Sequence, residues 1–380
     1  MCEREEAAHR AYGTRPDPQG GGGRLLSLDA FRGLTIIGML LVNNAALDRA
    51  TPSQLTHAAW GEGVHFADLV FPWFLLIVGI ALPFSAAKRR ATGEPLWAFY
   101  GRACRRALLL VLLGMLVDSS IAKTPVVGLG VLQLIGLAYL VAAFASPLGW
   151  RWRAALACAL LLSHWAALRF LPLPGTGRVQ LTETANLVVS LNALYLDPMH
   201  LRGLVSVVPT SALVLIGTVI GDLLRSDGPG RSRKSLQVLA IGAGLSLAGW
   251  LWSLDIPFSK PLWTASYIVY TGGLGLMLLS FLHWTMDSLG WRGRAWPLVV
   301  YGSNAILAYV APILVKVWVL QSWVVPVGGG TTAPIQQACL SWLRQAAGPA
   351  PGGWLYTLSY IAFWGIVLAY LHRKRIFLRV

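Results

Sequence analysis

The stretch His57-Ala-Ala-Trp60-Gly-Glu-Gly-Val-His65-Phe-Ala-Asp68-Leu-Val-Phe-Pro72-Trp-Phe-Leu-Leu-Ile-Val-Gly79-Ile-Ala81 decides the fold of this chain. From Asp68 onward it is an almost unbroken apolar run that ends in the basic cluster Lys88-Arg89-Arg90. About 20 such residues, wound as a helix, span the roughly 30 Å hydrocarbon core of a bilayer. Two histidines and an aspartate stand at the mouth of the run. Ionisable groups at such a boundary cost free energy unless paired or wet, so they are functional candidates by default.

The rest of the chain repeats the pattern. Of 380 residues, 56% are hydrophobic and 12% charged, against about 25% charged in a soluble domain. The fold class is therefore all-α, a polytopic integral membrane protein with about ten transmembrane helices. They are expected near 33–48, 66–87, 103–122, 125–146, 152–171, 201–224, 235–254, 262–283, 296–320 and 354–372. Lys and Arg sort between alternate connections, 23 of the 31 falling on one side. Positive charge accumulates in cytoplasmic loops, so both termini are expected to be cytoplasmic. The net charge of +15 then reflects topology. No basic run is dense enough for a nucleic-acid arm, and no nucleic-acid partner is expected.

Residues 1–23 are polar, end in Gly20–Gly23, and read as a disordered cytoplasmic tail without the apolar stretch of a cleavable signal. Residues 24–380 read as one transmembrane domain with no soluble catalytic module. Cys2, Cys104, Cys158 and Cys339 give neither a disulfide framework nor a metal-ligand spacing, so no metal is expected. Two long extracytoplasmic connections, 172–200 and 321–353, suit rims or lids, and the second carries a short amphipathic stretch over 335–346.

Three constellations carry chemistry. At the inner mouth of the first helix, Arg24-Leu-Leu-Ser27-Leu-Asp29-Ala-Phe31-Arg32-Gly33-Leu-Thr reads either as a capped helix with a positive anchor or as a place where Arg32 meets phosphates of a cytosolic ligand. Asn43 lies eleven residues beyond Arg32, about 16 Å along a helix, which predicts an amide near mid-membrane. Such an amide is interhelical glue or a preorganised oxyanion donor. In the opening segment, His57 and His65 precede Asp68, and Trp60 suits the interface. A histidine near neutral pH accepts and returns a proton, but spacing alone does not choose between the two. Weaker polar spots are Asp197-Pro198 with His200, Lys260-Pro-Leu-Trp263-Thr-Ala-Ser266-Tyr267, and Tyr301-Gly-Ser303-Asn304-Ala; Asp118, Asp222 and Lys316 read as snorkelling residues near span ends.

Ser27-Leu-Asp29-Ala-Phe31-Arg32-Gly33-Leu-Thr, Val42-Asn43, His57-Ala-Ala-Trp60 and Asp68-Leu-Val-Phe-Pro72-Trp-Phe, followed by the Lys260–Tyr267 and Gly302–Tyr309 motifs, resemble the catalytic region of heparan-alpha-glucosaminide N-acetyltransferases and their bacterial relatives. The resemblance implies a membrane acyltransferase that takes acetyl from cytosolic acetyl-CoA and delivers it to an amino sugar across the bilayer. It places the family's histidine on His57 and its helix-one asparagine on Asn43. It implies a multi-pass protein of the bacterial inner membrane. There are departures. The Asn43-to-His57 connection is longer than in the animal enzyme, Asp-Pro-Glu-Gly reads Asp197-Pro198-Met199-His200, and a histidine is replaced near Ala311-Pro312.

The combined expectation is an acyl-CoA-dependent acyltransferase. His57 is base or acyl carrier, Asn43 oxyanion donor, and Asp68 orients His57 or the acceptor. Trp60, Asp197, Lys260, Trp263 and Asn304 are expected to bind the acceptor, and Arg32, Arg105 and Arg106 the CoA phosphates. The expected partners are acyl-CoA, a glycan or amino-sugar acceptor and the lipid bilayer, with a homodimer left open. The rival is a transporter or flippase using the same polar residues as a path; the lack of an internal repeat weighs against it.

Overall fold

The computed structural model describes residues 25–228, 230–291, 293–328 and 331–378; the expected tail over 1–23 lies outside them. Thirteen helices and one small hairpin are described. They are α1 (Leu26–Asn44), α2 (Phe66–Ala91), α3 (Leu96–Ala122), α4 (Val131–Phe144), α5 (Trp150–Phe170), α6 (Leu187–Leu191), α7 (Val207–Arg225), α8 (Arg231–Trp252), α9 (Ala265–Leu282), α10 (Trp296–Ser303), α11 (Ala305–Val315), α12 (Ile335–Ala347) and α13 (Pro349–Arg373). Between α11 and α12, strands β1 (Val324–Gly328) and β2 (Thr331–Pro334) pair antiparallel, with Val325 opposite Ala333.

Each of the ten expected spans overlaps a helix, and the span expected over 296–320 overlaps two. By length and composition, six helices suit a membrane crossing, and a seventh does if α10 and α11 with its extension to Leu320 form one span bent by 75°. The other three fall short for visible reasons. α4 has only 14 residues, α3 carries Arg102, Arg105 and Arg106, and α5 carries Arg151, Arg153 and Arg169. The first helix runs over 26–44 and not 33–48, because its apolar face begins at Leu25 and Leu26 and the chain leaves helix after Asn44. Asn43 is therefore the second-last residue of α1 and does not sit at its middle, contrary to the sequence expectation.

α2 is the central helix: 78% of its apolar window is buried, against 22% for α8 and 28% for α13. Those two present most of their surface outward, as a lipid-facing helix does. Where helices must approach closely, glycines remove the side chain. A Cβ on Gly79 of α2 would overlap the Val214 carbonyl of α7, and Gly217 returns the contact on Leu76 and Gly79. This small-residue packing replaces the hydrophobic drive that lipid cannot supply. The same device locks α1 to α10: Gly33 faces the Leu298 carbonyl and Gly302 faces the Asp29 carbonyl. Across the bundle, Asp287 accepts from the backbone N–H groups of Leu26 (3.3 Å) and Ser27 (3.1 Å) and so caps α1. At the far end of α1, Arg344 of α12 donates to the Ala46 carbonyl at 2.9 Å and pairs with Asp48 at 2.7 Å. The hairpin and α12 are thereby tied to the loop that leads to His57.

Candidate active site

Asp68 sits in the first turn of α2, where backbone N–H groups lack intrahelical partners and a carboxylate is favoured. Its Oδ2 accepts from the backbone of Ala58 at 3.0 Å and of His65 at 3.2 Å. Its Oδ1 meets Nδ1 of His57 at 2.7 Å. One carboxylate thus folds the 57–65 loop back onto the helix start. The carboxylate is buried, at 4% exposure, while the His57 side chain is 59% exposed. With Nδ1–H donating to Asp68, the neutral ring carries its lone pair on Nε2. Nε2 therefore faces outward as an acceptor.

Lys260 completes the cluster. Its Nζ lies 3.2 Å from Nδ1 and 3.3 Å from Nε2 of His57. A point this close and equidistant from both ring nitrogens would overlap Cε1 if it lay in the ring plane, so the amine sits over the ring face. Nζ also reaches Asp68 Oδ1 at 3.8 Å and the Ala67 carbonyl at 3.5 Å. Burial pushes the Lys260 amine below the ordinary lysine range, and the Asp68 carboxylate opposes that shift without cancelling it.

The loop carrying Lys260 is held by its own polar side chains. Ser259 N–H donates to Thr264 Oγ1 at 3.1 Å, and Ser266 Oγ donates to the Ile256 carbonyl at 2.7 Å. Tyr267, buried in α9, donates its hydroxyl to the Asp68 carbonyl. Trp263 adopts φ +50° and packs edge-on against Phe71 and Tyr267, with centroids 5.1 and 5.8 Å away. It is 5% exposed and supports the site from behind; it is not a wall of the opening. The opening is a small cleft lined by Ala58, Trp60, Asp68, Glu183, Lys260 and Tyr267, among others. Glu183 escaped the sequence reading; its signal was its place as an acid in the long 172–200 connection.

Other expected site residues lie elsewhere. The Asn43 side chain is exposed, and its carbonyl accepts from Lys316 Nζ at 2.8 Å; among the described contacts no hydrogen bond joins Asn43 to His57, Asp68 or Lys260. Lys316, read as snorkelling, instead caps the carbonyl end of α1. Asp197 faces Arg202 at 3.8 Å and does not line the cleft. Asn304 is buried at the α10–α11 bend, where it donates to the Ile376 carbonyl and accepts from Leu378 N–H, both at 2.9 Å. It clamps the chain after α13 and is absent from the cleft lining. Arg32 pairs with Asp29 at 3.1 Å on α1. On α3, Arg105 is exposed and the Arg106 guanidinium lies 4.6 Å from the Tyr139 ring centroid. A cavity of about 640 Å³ lies among Arg90, Arg153 and Arg225 and shares no lining residue with the cleft.

A histidine with its Nδ1 anchored to a buried carboxylate and its Nε2 open, at the mouth of a helical membrane bundle, defines a polytopic membrane protein with the geometry of proton-transfer catalysis. The chain belongs to the heparan-alpha-glucosaminide N-acetyltransferase catalytic family, whose model matches residues 24–256. That match contains Arg32, Asn43, His57 and Asp68 and ends short of Lys260. The human protein named heparan-alpha-glucosaminide N-acetyltransferase is 26% identical over 356 residues, covering 76% of this chain and 52% of the relative. The mouse protein of the same name is 25% identical over 352 residues, covering 76% and 53%. The chain spans about half the length of the curated relatives it matches.

Proposed function

We propose that this chain is a transmembrane acetyltransferase that moves an acetyl group from acyl-CoA to an amino sugar or another glycan acceptor presented at the His57 end. The observation that carries this reading is the 2.7 Å contact from His57 Nδ1 to buried Asp68, which leaves Nε2 exposed. A thioester is already activated, so the protein has only to position it, take a proton and stabilise the oxyanion. Nε2 of His57 accepts the proton of the attacking amine or hydroxyl, a step that contributes about 10²–10⁴ in rate. Asp68 fixes the ring and stabilises the imidazolium that forms. Asn43 donates to the oxyanion; its amide is exposed, and the Lys316 cation stands beside it. Trp60 offers an aromatic face to the acceptor, and Lys260 and Glu183 line its pocket. Arg32, Arg105 and Arg106 take the CoA phosphates, a role supported by the exposed head of Arg105 and the buried, unbonded Nε of Arg106. In this reading both termini face the cytoplasm of a bacterial inner membrane.

The test is CoA release from acetyl-CoA by the purified chain, with and without a panel of amino sugars. Acceptor-stimulated release that falls by about 10²–10⁴ in His57→Ala is expected. Acceptor-independent turnover, or full activity in the variant, sinks the reading. A burst of CoA before steady state that persists in Lys260→Arg would assign His57 as acyl carrier, with an acyl-enzyme forming before the acceptor reacts.

A further inference from the structure

We infer that Lys260 is itself an acetyl acceptor, so that the site acetylates its own Lys260 amine when no glycan amine is present. This rests on the acyl-transfer reading above and adds a modification site to it.

The argument is geometric. An amine attacks an acyl carbon from above the carbonyl plane. Whether the acyl group stands on Nε2 or is held beside it as a thioester, the attacking amine must come within hydrogen-bond reach of Nε2, where its proton goes. Lys260 Nζ already lies at that distance, 3.3 Å from Nε2 but over the ring face and out of line with the in-plane lone pair; its flexible stem lets the amine turn toward Nε2 as the proton leaves. If acetyl sits on Nε2 coplanar with the ring, Nζ stands on the face from which attack occurs. A simple counter-ion for Asp68 would approach the carboxylate more closely than the ring. Here the order is reversed, with 3.8 Å to Oδ1 against 3.2 and 3.3 Å to the nitrogens. Burial also holds the amine below the ordinary lysine range, so a larger neutral fraction is available as nucleophile than on an exposed lysine.

Among the described residues, the titratable groups around Nζ are His57 from the loop and Asp68 from α2, with Glu183 and Tyr267 of α9 lining the same cleft. The step balances. The amine lone pair forms a C–N bond to the acyl carbon, the thioester C–S bond breaks, and CoA leaves as thiolate. The amine proton passes to Nε2 of His57 and then to solvent or the departing sulfur. If acetyl is first carried on His57, the bond that breaks is its C–N bond to Nε2. The product is a neutral amide at the spot an acceptor amine must occupy. Acetylated Lys260 therefore closes the site to further acceptor, and acceptor binding protects Lys260 by displacing its amine.

The full chain is incubated with acetyl-CoA alone, and the peptide holding Lys260 is analysed by mass spectrometry while CoA release is followed. Acetyl-Lys260 is expected ahead of acetylation at Lys88, Lys123, Lys234, Lys316 and Lys374. It should form at a rate that rises with pH below the range where exposed lysines deprotonate, be suppressed by the accepted amino sugar, and be absent in His57→Ala. Lys260→Arg keeps the cation and should remove the stable acetyl-Lys260 together with its one equivalent of acceptor-independent release, leaving only whatever acetyl His57 itself carries. Acceptor-dependent CoA release with Lys260 unmodified overturns the inference and leaves the acyl-transfer reading standing. Equal acetylation of Lys260 in His57→Ala is background chemistry and overturns it too. No CoA release under any condition sinks both.

Discussion

The His57 end and the arginine-rich end of this bundle carry motifs of similar weight in the sequence, and the fold uses them in opposite ways. At the His57 end, residues from a loop, a helix start and a second loop converge: His57, Asp68 and Lys260 lie within 4 Å of one another. At the other end, Gly33, Gly302, Asn304 and Asp287 are consumed by packing. The glycines interlock α1 with α10, Asn304 clamps the chain beyond α13, and Asp287 caps α1. A motif of polar residues thus marks a site only where its polar atoms are left unspent. Nε2 of His57 has only the mobile Lys260 amine within reach, at 3.3 Å; both ends of the Asn304 amide are bonded to backbone.

The largest effect that would test this division is at Asp68. Asp68→Asn keeps the size but offers Nδ1 no carboxylate, and its amide can turn an N–H toward the ring and favour the wrong tautomer. The expected outcome is a loss of acceptor-dependent rate of about 10²-fold or more, with the Ala58 and His65 backbone bonds partly retained. Rate and thermal midpoint measured together decide the matter. A fall in stability matching the fall in rate would make Asp68 a helix cap and nothing more.

Next comes Gly33→Ala. The new Cβ would overlap the Leu298 carbonyl, and a backbone carbonyl locked in a helix cannot move aside as a side chain can. Overpacking of this kind costs about 1–3 kcal/mol, with the upper part expected here. The thermal midpoint in detergent should drop, while the folded fraction keeps its activity per molecule. A variant of normal stability but lost activity would move this end from packing to chemistry.

How much of this was legible in the sequence follows the same division. The helical membrane architecture was readable because the apolar runs and the charge asymmetry are local signals. The pairing of His57 with Asp68 was suggested because only eleven residues separate them and both stand at one helix start. Lys260 was quoted in a motif, but its place over the imidazole depends on a contact across 203 residues, which no local pattern encodes. Asn43 stands near the end of α1 and not at its middle because α1 runs from Leu26 and the chain leaves helix after Asn44, boundaries that a continuous apolar run does not mark. Asn304 shows the limit of one dimension, where a buried amide that bonds only backbone looks like an amide waiting for a ligand.

The smallest expected effect is the pH dependence of stability that Lys260 contributes at the His57 end. In the fold, burial disfavours the charged Lys260 amine, and Asp68 offsets this only in part. Its folded pKa lies below the unfolded value of about 10.4, so between the two the unfolded chain binds more protons. Stability should therefore rise with pH across that window, the burial cost being fully present below it and fading as the amine deprotonates. Lys260→Gln should flatten this slope. Asp68→Asn, by removing the opposing charge, should shift the rise to lower pH. Midpoints of the parent and the two variants measured from neutral to alkaline pH in one detergent isolate the Lys260 share. A slope that survives in Lys260→Gln would mean the titrating group lies elsewhere and that Lys260 is better solvated than its contacts with His57 and Asp68 imply.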